Sequence, residues 1–308
     1  MIGRLGLDAF ISFAKVLYAR SINVYKAAEA LERSDMEALI QLIEHSPRSW
    51  ILAKRLPEEA EEAFLRDLDA ELSELEKLAP SIAKSIVSLT FADIDLANLA
   101  LYIQGKEDKA LPIGYVYRMC ISQGMDVERC AKELSKRLGI EIDLNRVRKE
   151  GLVAFDKARI HVFAKLIDVV DTSRLYLHAP TCVREWVALR LAEILSVTKA
   201  LGYVDDIRSE IRRVLGVGEE DVERIPRYIA KPISAQFDAV VRNIFQKPLS
   251  ASVSVALYTC KSILPKLFIP GTDLDVVLGI SLLKLYEMMF IRMVLAYRLG
   301  GINVYTQA

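Results

Sequence analysis

Nearly every stretch of this chain repeats its apolar residues at three-and-four spacing. That helical period restricts the possible folds more than any other feature. Within residues 27–44, AAEALERSDMEALIQLIE, it sets Leu31, Leu39, Leu42 and Ile43 on recurring turns. Ser34 is the predicted cap of a new helix there, with Glu37 completing a capping box and Pro47 as the stop. Pro57 opens the next helix as a first-turn proline, followed by Glu58 and Glu59, acids that suit the positive helix end. Pro80 and Ser81 open another, carrying Ile82, Ile86 and Leu89. The spacing predicts further helices over residues 93–104, 127–138, 156–170, 182–201, 206–215, 232–245, 253–264 and 273–299. Strand signals, at residues 140–142 and 176–177, are too short to found a sheet. The expected fold class is therefore all-α.

Composition then excludes several function classes. The 308 residues hold 41 Lys and Arg against 41 Asp and Glu, so there is no basic excess of the kind nucleic-acid binders carry. Apolar residues reach 52%, which excludes a solvated coil. The mean hydropathy of +0.23 raises the question of a membrane span. Such a span needs about 20 nearly uncharged residues. The best run, residues 248–260, is closed by Lys247 and Lys261, and residues 278–301 are interrupted by Lys284, Glu287, Arg292 and Arg298. Asp8, Lys15 and Arg20 break up the apolar N-terminus, so no signal peptide is read there. The expectation is a cytoplasmic chain that hides some apolar surface against partners. Cys120, Cys130, Cys182 and Cys260 show no C-x-x-C or paired Cys/His spacing, and reduced thiols in a core are expected, with no disulfide or zinc.

A weak internal repeat runs through the helices. In each copy an acid precedes a large aliphatic by four residues, and the helix continues to a glycine. The copies are Asp95 with Leu99 and Gly105, Glu185 with Leu189 and Gly202, and Glu287 with Ile291 and Gly300. The expected organisation is three related helical units in a ring or funnel, over residues 1–114, 115–207 and 208–308.

Catalytic signatures are sparse. Gly216-Val217-Gly218 lacks a third glycine and follows no strand, so it matches a dinucleotide loop poorly. His45, His161 and His178 have no second ligand at a metal spacing, and His45 suits the negative end of a helix. One enzyme reading remains: a magnesium-dependent all-α enzyme acting on prenyl diphosphates through Asp168, Asp171, Asp205, Asp206 and Glu210. Position 209, where such a motif needs a third Asp, is Ser, and Arg208, Arg212 and Arg213 surround the pair. Met288, Met289 and Met293 are read as core fillers, with a partner-facing stripe as the alternative.

At residues 95–106 the sequence becomes recognisable. Asp95-Leu96-Ala97-Asn98-Leu99, then Tyr102-Ile103-Gln104-Gly105-Lys106, resembles the Asp-Ile-x-Asn-Leu-x-x-Leu-Leu-x-Gly-Lys helix of the C-subunit family of archaeal and vacuolar-type rotary ATPases, whose eukaryotic counterpart is the d-subunit. Leu111-Pro112-Ile113-Gly114 resembles the Ile-Pro-x-Gly that follows it. Ala14-Lys15-Val16, Arg20-Ser21 and residues 25–47 resemble the family's N-terminal segment. Lys284, Glu287, Arg292 and Arg298 fall on its C-terminal motif, while Leu285, Met289 and Phe290 depart from it. The likeness covers about the first third and the last sixth of the chain.

The resemblance implies a three-fold pseudo-symmetric helical funnel without catalysis, cofactor, metal or small-molecule substrate. It implies a protein peripheral to the membrane on the cytoplasmic face, seating the D and F stalk subunits and capping the proteolipid ring, and so transmitting torque for ATP-linked ion transport. In that frame Asp95, Glu185 and Glu287 are expected to cap or pair inside each unit, with Asn98 and Arg292 as polar partners. A helical adaptor of another complex is the first rival, and the magnesium enzyme the second.

Overall fold

The structure, a computed structural model, describes residues 2–173, 177–231, 233–268, 272 and 275–300, with side chains from Asp8 to Leu299. It is all-α: among the described residues every regular element is helical. The expected helix starts at Pro232 and Asp273, and Tyr176 of the short extended segment, lie outside the described residues.

The N-terminal third runs α1 (Ile2–Arg20), α2 (Val24–Glu32), α3 (Met36–Glu44), α4 (Pro57–Leu78), α5 (Ser81–Thr90) and α6 (Ala92–Ile103). The sequence signals at Pro57 and Pro80 fall at the starts of α4 and α5. The cap of α3 is a correction. Ser34 adopts a left-handed φ of 57° while closing α2, and the neighbouring Asp35 caps α3 by accepting from the Ala38 N–H at 2.9 Å. That shift leaves Glu37 one turn position too early for a capping box. α1 precedes every helix expected from the sequence and buries Phe10, Ile11, Ala14 and Leu17.

The middle of the chain forms a π-helical segment (Val116–Ile121), α7 (Val127–Leu138), α8 (Leu144–Glu150), α9 (Leu152–Thr172), α10 (Ala179–Leu201) and α11 (Val204–Leu215). α7 is capped by Asp126 and closed by Gly139 in the left-handed region, and between them Cys130, Ala131, Leu134 and Leu138 form its buried stripe. The expected absence of a disulfide is overturned here. The chain reverses through residues 122–126, bringing Cys120 and Cys130 to a Cα separation of 5.7 Å, where they form a disulfide. Their ten-residue spacing is a supersecondary contact that motif spacing does not reveal. Cys182 and Cys260 are free and buried, as expected of core thiols.

The C-terminal part holds α12 (Ile225–Ile229), α13 (Ala235–Gln246), α14 (Ala251–Tyr258), a π-helical turn (Thr259–Ile263), α15 (Leu264–Phe268) and α16 (Asp275–Gly300). α16 is the central strut. It packs on α1, α2, α3, α4, α5 and α15, so the last described helix is built into the N-terminal third. Val277, Leu278, Ile280, Leu283, Phe290, Ile291 and Val294 are buried around its whole circumference, as expected of a helix enclosed by protein. Met288 and Met293 belong to that core. Enclosure of α10 and α16 thus places much of the apolar content inside the fold.

The buried side chains form one continuous core across all three expected units. Among the described residues no single helix is long and apolar enough to cross a membrane. The pair α5 and α6 meets the length and composition only together, across a 57° bend.

Candidate functional site

α6 carries the first pair of singled-out residues, and both act on the segment that follows it. Asn98 is completely buried. Its Nδ2 donates to the Leu111 and Ile113 carbonyls at 3.0 Å each, and its Oδ1 accepts from the Leu111 N–H at 2.9 Å. Asp95 accepts from the Val116 N–H at 2.9 Å. Asp69 of α4 accepts from the Gly114 N–H at 2.8 Å and from Arg118 at 2.7 Å. Three side chains therefore clip residues 105–116 onto the helices as a strap. Gly114 sits at the tightest point, with φ of 93°.

Asp95 does not pair with Asn98, contrary to expectation; both are spent on the strap backbone. Its carboxyl is raised to about 7. Burial is the main cause, offset only in part by the Val116 N–H and the Arg137 and Arg118 charges, while Glu76 adds to it.

Glu287 sits at the centre of a buried ion network. Lys284 Nζ lies 2.8 Å and Arg48 Nε 3.1 Å from its carboxylate, which also accepts from the Ile22 N–H at 3.1 Å. Arg48 and Lys284 both reach Glu71 as well, at 2.7 and 2.9 Å, and Arg48 binds Asp67. Arg48, Glu71, Lys284 and Glu287 are each at least 96% buried. Burial alone would raise the Glu287 carboxyl, but Lys284 and Arg48 outweigh it and hold it below the ordinary value. The network joins α16 to α4 and to the turn after α3, so Glu287 pairs within its own unit through Lys284 and also ties α16 to the N-terminal third.

The other two expected positions behave differently from each other. Glu185 on α10 receives Lys266 Nζ at 3.1 Å and the Tyr258 hydroxyl at 3.3 Å. Arg292 does not reach Glu287; it binds Glu61 of α4 at 2.6 Å at a partly exposed site. So the repeat acids meet three different environments: one backbone amide for Asp95, a half-exposed lysine for Glu185 and a closed network for Glu287.

Sequence reasoning missed Arg48, Asp69, Glu71 and a further cluster on α6, α9 and α10. In that cluster Asp93 binds Arg159 at 3.0 Å and Arg190 at 2.6 Å; Arg159 also binds Asp156, and Arg190 binds Glu193. Burial would raise the Asp93 carboxyl, but the two guanidinium groups drive it well below the usual carboxylate range. A signal for Asp69 and Glu71 existed. Both lie inside the stripe Leu65, Leu68, Leu72, Leu75, where an acid faces the core.

The acids of the magnesium reading are dispersed. Asp168 pairs with Lys165, Asp171 with Arg184, and Asp205 with Arg208, while Glu210 faces His161 and Arg213. Among the described residues no group of three or more His, Cys, Asp or Glu could hold a metal ion. His45 Nδ1 donates to the Gln41 carbonyl at 2.8 Å at the end of α3, the helix-end position expected for it. Gly216 ends α11, placing the glycine pair at the negative end of a helix, where a phosphate is repelled.

One cleft adjoins these residues. It has a volume of about 550 Å³ and runs between the strap and the start of α4, beside Arg292. Leu65, Leu111, Pro112 and Ile121 contribute apolar walls, and Glu58, Glu62, Glu107 and Asp108 line its rim. The strap that Asn98, Asp95 and Asp69 hold is one wall of this cleft. No family pattern, curated protein or solved structure matches the chain.

Proposed function

We propose that this chain is the central-stalk subunit of an archaeal or vacuolar-type rotary ATPase, peripheral to the membrane on its cytoplasmic face. In that role it seats the D and F stalk subunits, caps the proteolipid ring and passes torque between them, its helices arranged as three related units around a cavity. It uses no cofactor and performs no chemistry of its own.

The observation that carries this reading is the α6–strap unit. Within the residues that resemble the family's helix-and-loop motif, Asn98 is hydrogen-bonded to Leu111 and Ile113, and Asp95 holds Val116 just past that loop. The C-terminal motif gives a second support, since Lys284 and Glu287 lie in the buried network that locks α16 onto α4. A torque-bearing part needs helices that do not slide, and close packing with buried, geometrically demanding ion pairs resists sliding. A helical adaptor would share the stiffness but not the partners.

The test is purification of the tagged chain from gently solubilised membranes, with mass spectrometry of the co-purifying proteins. Recovery of the catalytic ATPase subunits, the stalk subunits and the proteolipid is the expected result. Recovery of the bare chain, with no ATPase subunit under mild conditions, overturns the proposal.

A further inference from the structure

The strap has an uneven set of fastenings. Asn98 is neutral and makes three hydrogen bonds. Asp69 is backed by Arg118 at 2.7 Å. Asp95 is 3% exposed, and among the described residues the one N–H donating to its carboxyl within hydrogen-bond distance is that of Val116. A buried carboxylate held by so little is costly when ionised and inexpensive when protonated.

The surrounding charges do not remove that imbalance. From α4, Asp69 and Glu76 face this region; Glu76 is shared by Arg118 and Arg137. Tyr115 faces it from the strap's end, Arg118 from the π-helical segment that follows, and Arg137 from α7, its guanidinium stacked over the Tyr115 ring at 4.9 Å. On the α9 side Arg159 is committed to Asp93 and Asp156. Lys84, the charged residue of α5, is exposed, as are Glu107, Asp108 and Lys109 of the short turn after α6. Among the described residues no cation therefore lies against Asp95 in hydrogen-bond contact.

We propose that the strap is a proton-latched wall of the acidic cleft: it is clamped when the Asp95 carboxyl holds a proton, and loosens to let that carboxylate reach water when the proton leaves. The Asp95 oxygen facing Val116 accepts the backbone N–H in either state, so the latch is the cost of a buried charge, not the loss of one bond. Opening moves Leu111 and Pro112, which line the cleft, and so changes what the cleft admits. This inference stands apart from the rotor reading and survives its failure.

The direction of the pH effect follows from linkage. The clamped state holds the Asp95 proton up to about pH 7, whereas the opened state releases it near the ordinary value for Asp. Opening is therefore rarest at acid pH, grows as pH rises between those two values, and levels off above the higher one.

Hydrogen exchange of the Leu111, Gly114 and Val116 amides from pH 4.5 to 8.5, corrected for intrinsic exchange chemistry, tests this. Protection is expected to fall about tenfold per pH unit up to pH 7 and then to level. Asp95→Asn should flatten that profile, with the amides of α16 unaffected. A carbon-detected titration of the Asp95 carboxyl in the unmodified protein supplies a readout that needs no variant, with an expected midpoint near 7. A midpoint below 5, a flat profile in the unmodified protein, a slope that persists in Asp95→Asn, or a parallel loss in α16 each overturns the proposal.

Discussion

A methyl group placed on Gly114 would stand 2.5 Å from the Oδ1 of Asp95. The glycine is thus required twice, once by its φ of 93° and once by the carboxylate pressed against it. Gly114→Ala should lower stability by about 2–4 kcal/mol, combining backbone strain and a clash with a buried side chain that has little room to move. Urea unfolding at pH 7 measures it. A loss under about 0.5 kcal/mol would mean that the strap does not lie against α6 in solution.

Removing one member of the Glu287 network should cost far more than removing a peripheral ion pair. Arg48→Met leaves Glu71 and Glu287 to share Lys284, and a loss of about 3–5 kcal/mol is expected, because buried charge is left uncompensated. Arg292→Ala breaks a pair that is 41% and 29% exposed and should cost under about 1 kcal/mol. The comparison matters because Arg292 belongs to the C-terminal motif and Arg48 pairs with its Glu287. Equal losses would contradict the closed network.

Acid pH should destabilise the fold through other groups than Asp95. Glu287, Asp93, Glu210 and Asp275 are each held below their ordinary values by cations or backbone amides. A depressed folded value means that stability is complete above the unfolded value, near 4, and is lost as pH falls through the folded one. Urea midpoints should therefore decline steadily from about pH 4 downward. A flat profile between pH 4 and 2 would show that these carboxylates are not bonded as described.

How much of this is legible in the sequence depends on the kind of signal. Pro57, Pro80, Gly139, Gly202 and Gly216 mark helix ends by local chemistry, and those ends fall where the residues place them. α1 lacks a cap or a stop of that sort, and nothing local announces it. Asp95, Asn98 and Glu287 stand out as polar residues inside apolar helical runs, which marks them as candidates. Their partners are not marked, because Asn98 reaches backbone 13 residues on and Glu287 reaches Arg48 across 239. Arg48 itself follows a helix end, where an arginine is ordinarily solvated, and its surroundings in the sequence do not show it as buried. Cys120 and Cys130 escape a motif reading for the same reason, since their meeting depends on a chain reversal rather than on a fixed spacing.

That disulfide gives the most direct chemical test of the fold between α6 and α7. Denatured, unreduced protein should show two reactive thiols, Cys182 and Cys260, and four after reduction. In the folded protein both free thiols should resist alkylation at pH 8, since burial pushes Cys182 up to about 12 and raises Cys260 as well. Closing a loop of 10 residues restricts the unfolded chain, so the paired Cys120→Ser and Cys130→Ser variant should lose about 2–3 kcal/mol. Because the bridge lies just beyond Val116, that loss should be accompanied by faster exchange of the strap amides while those of α16 keep their protection. Four reactive thiols without reductant would show that the bridge does not form, and the strap would then rest on Asn98, Asp95 and Asp69 alone.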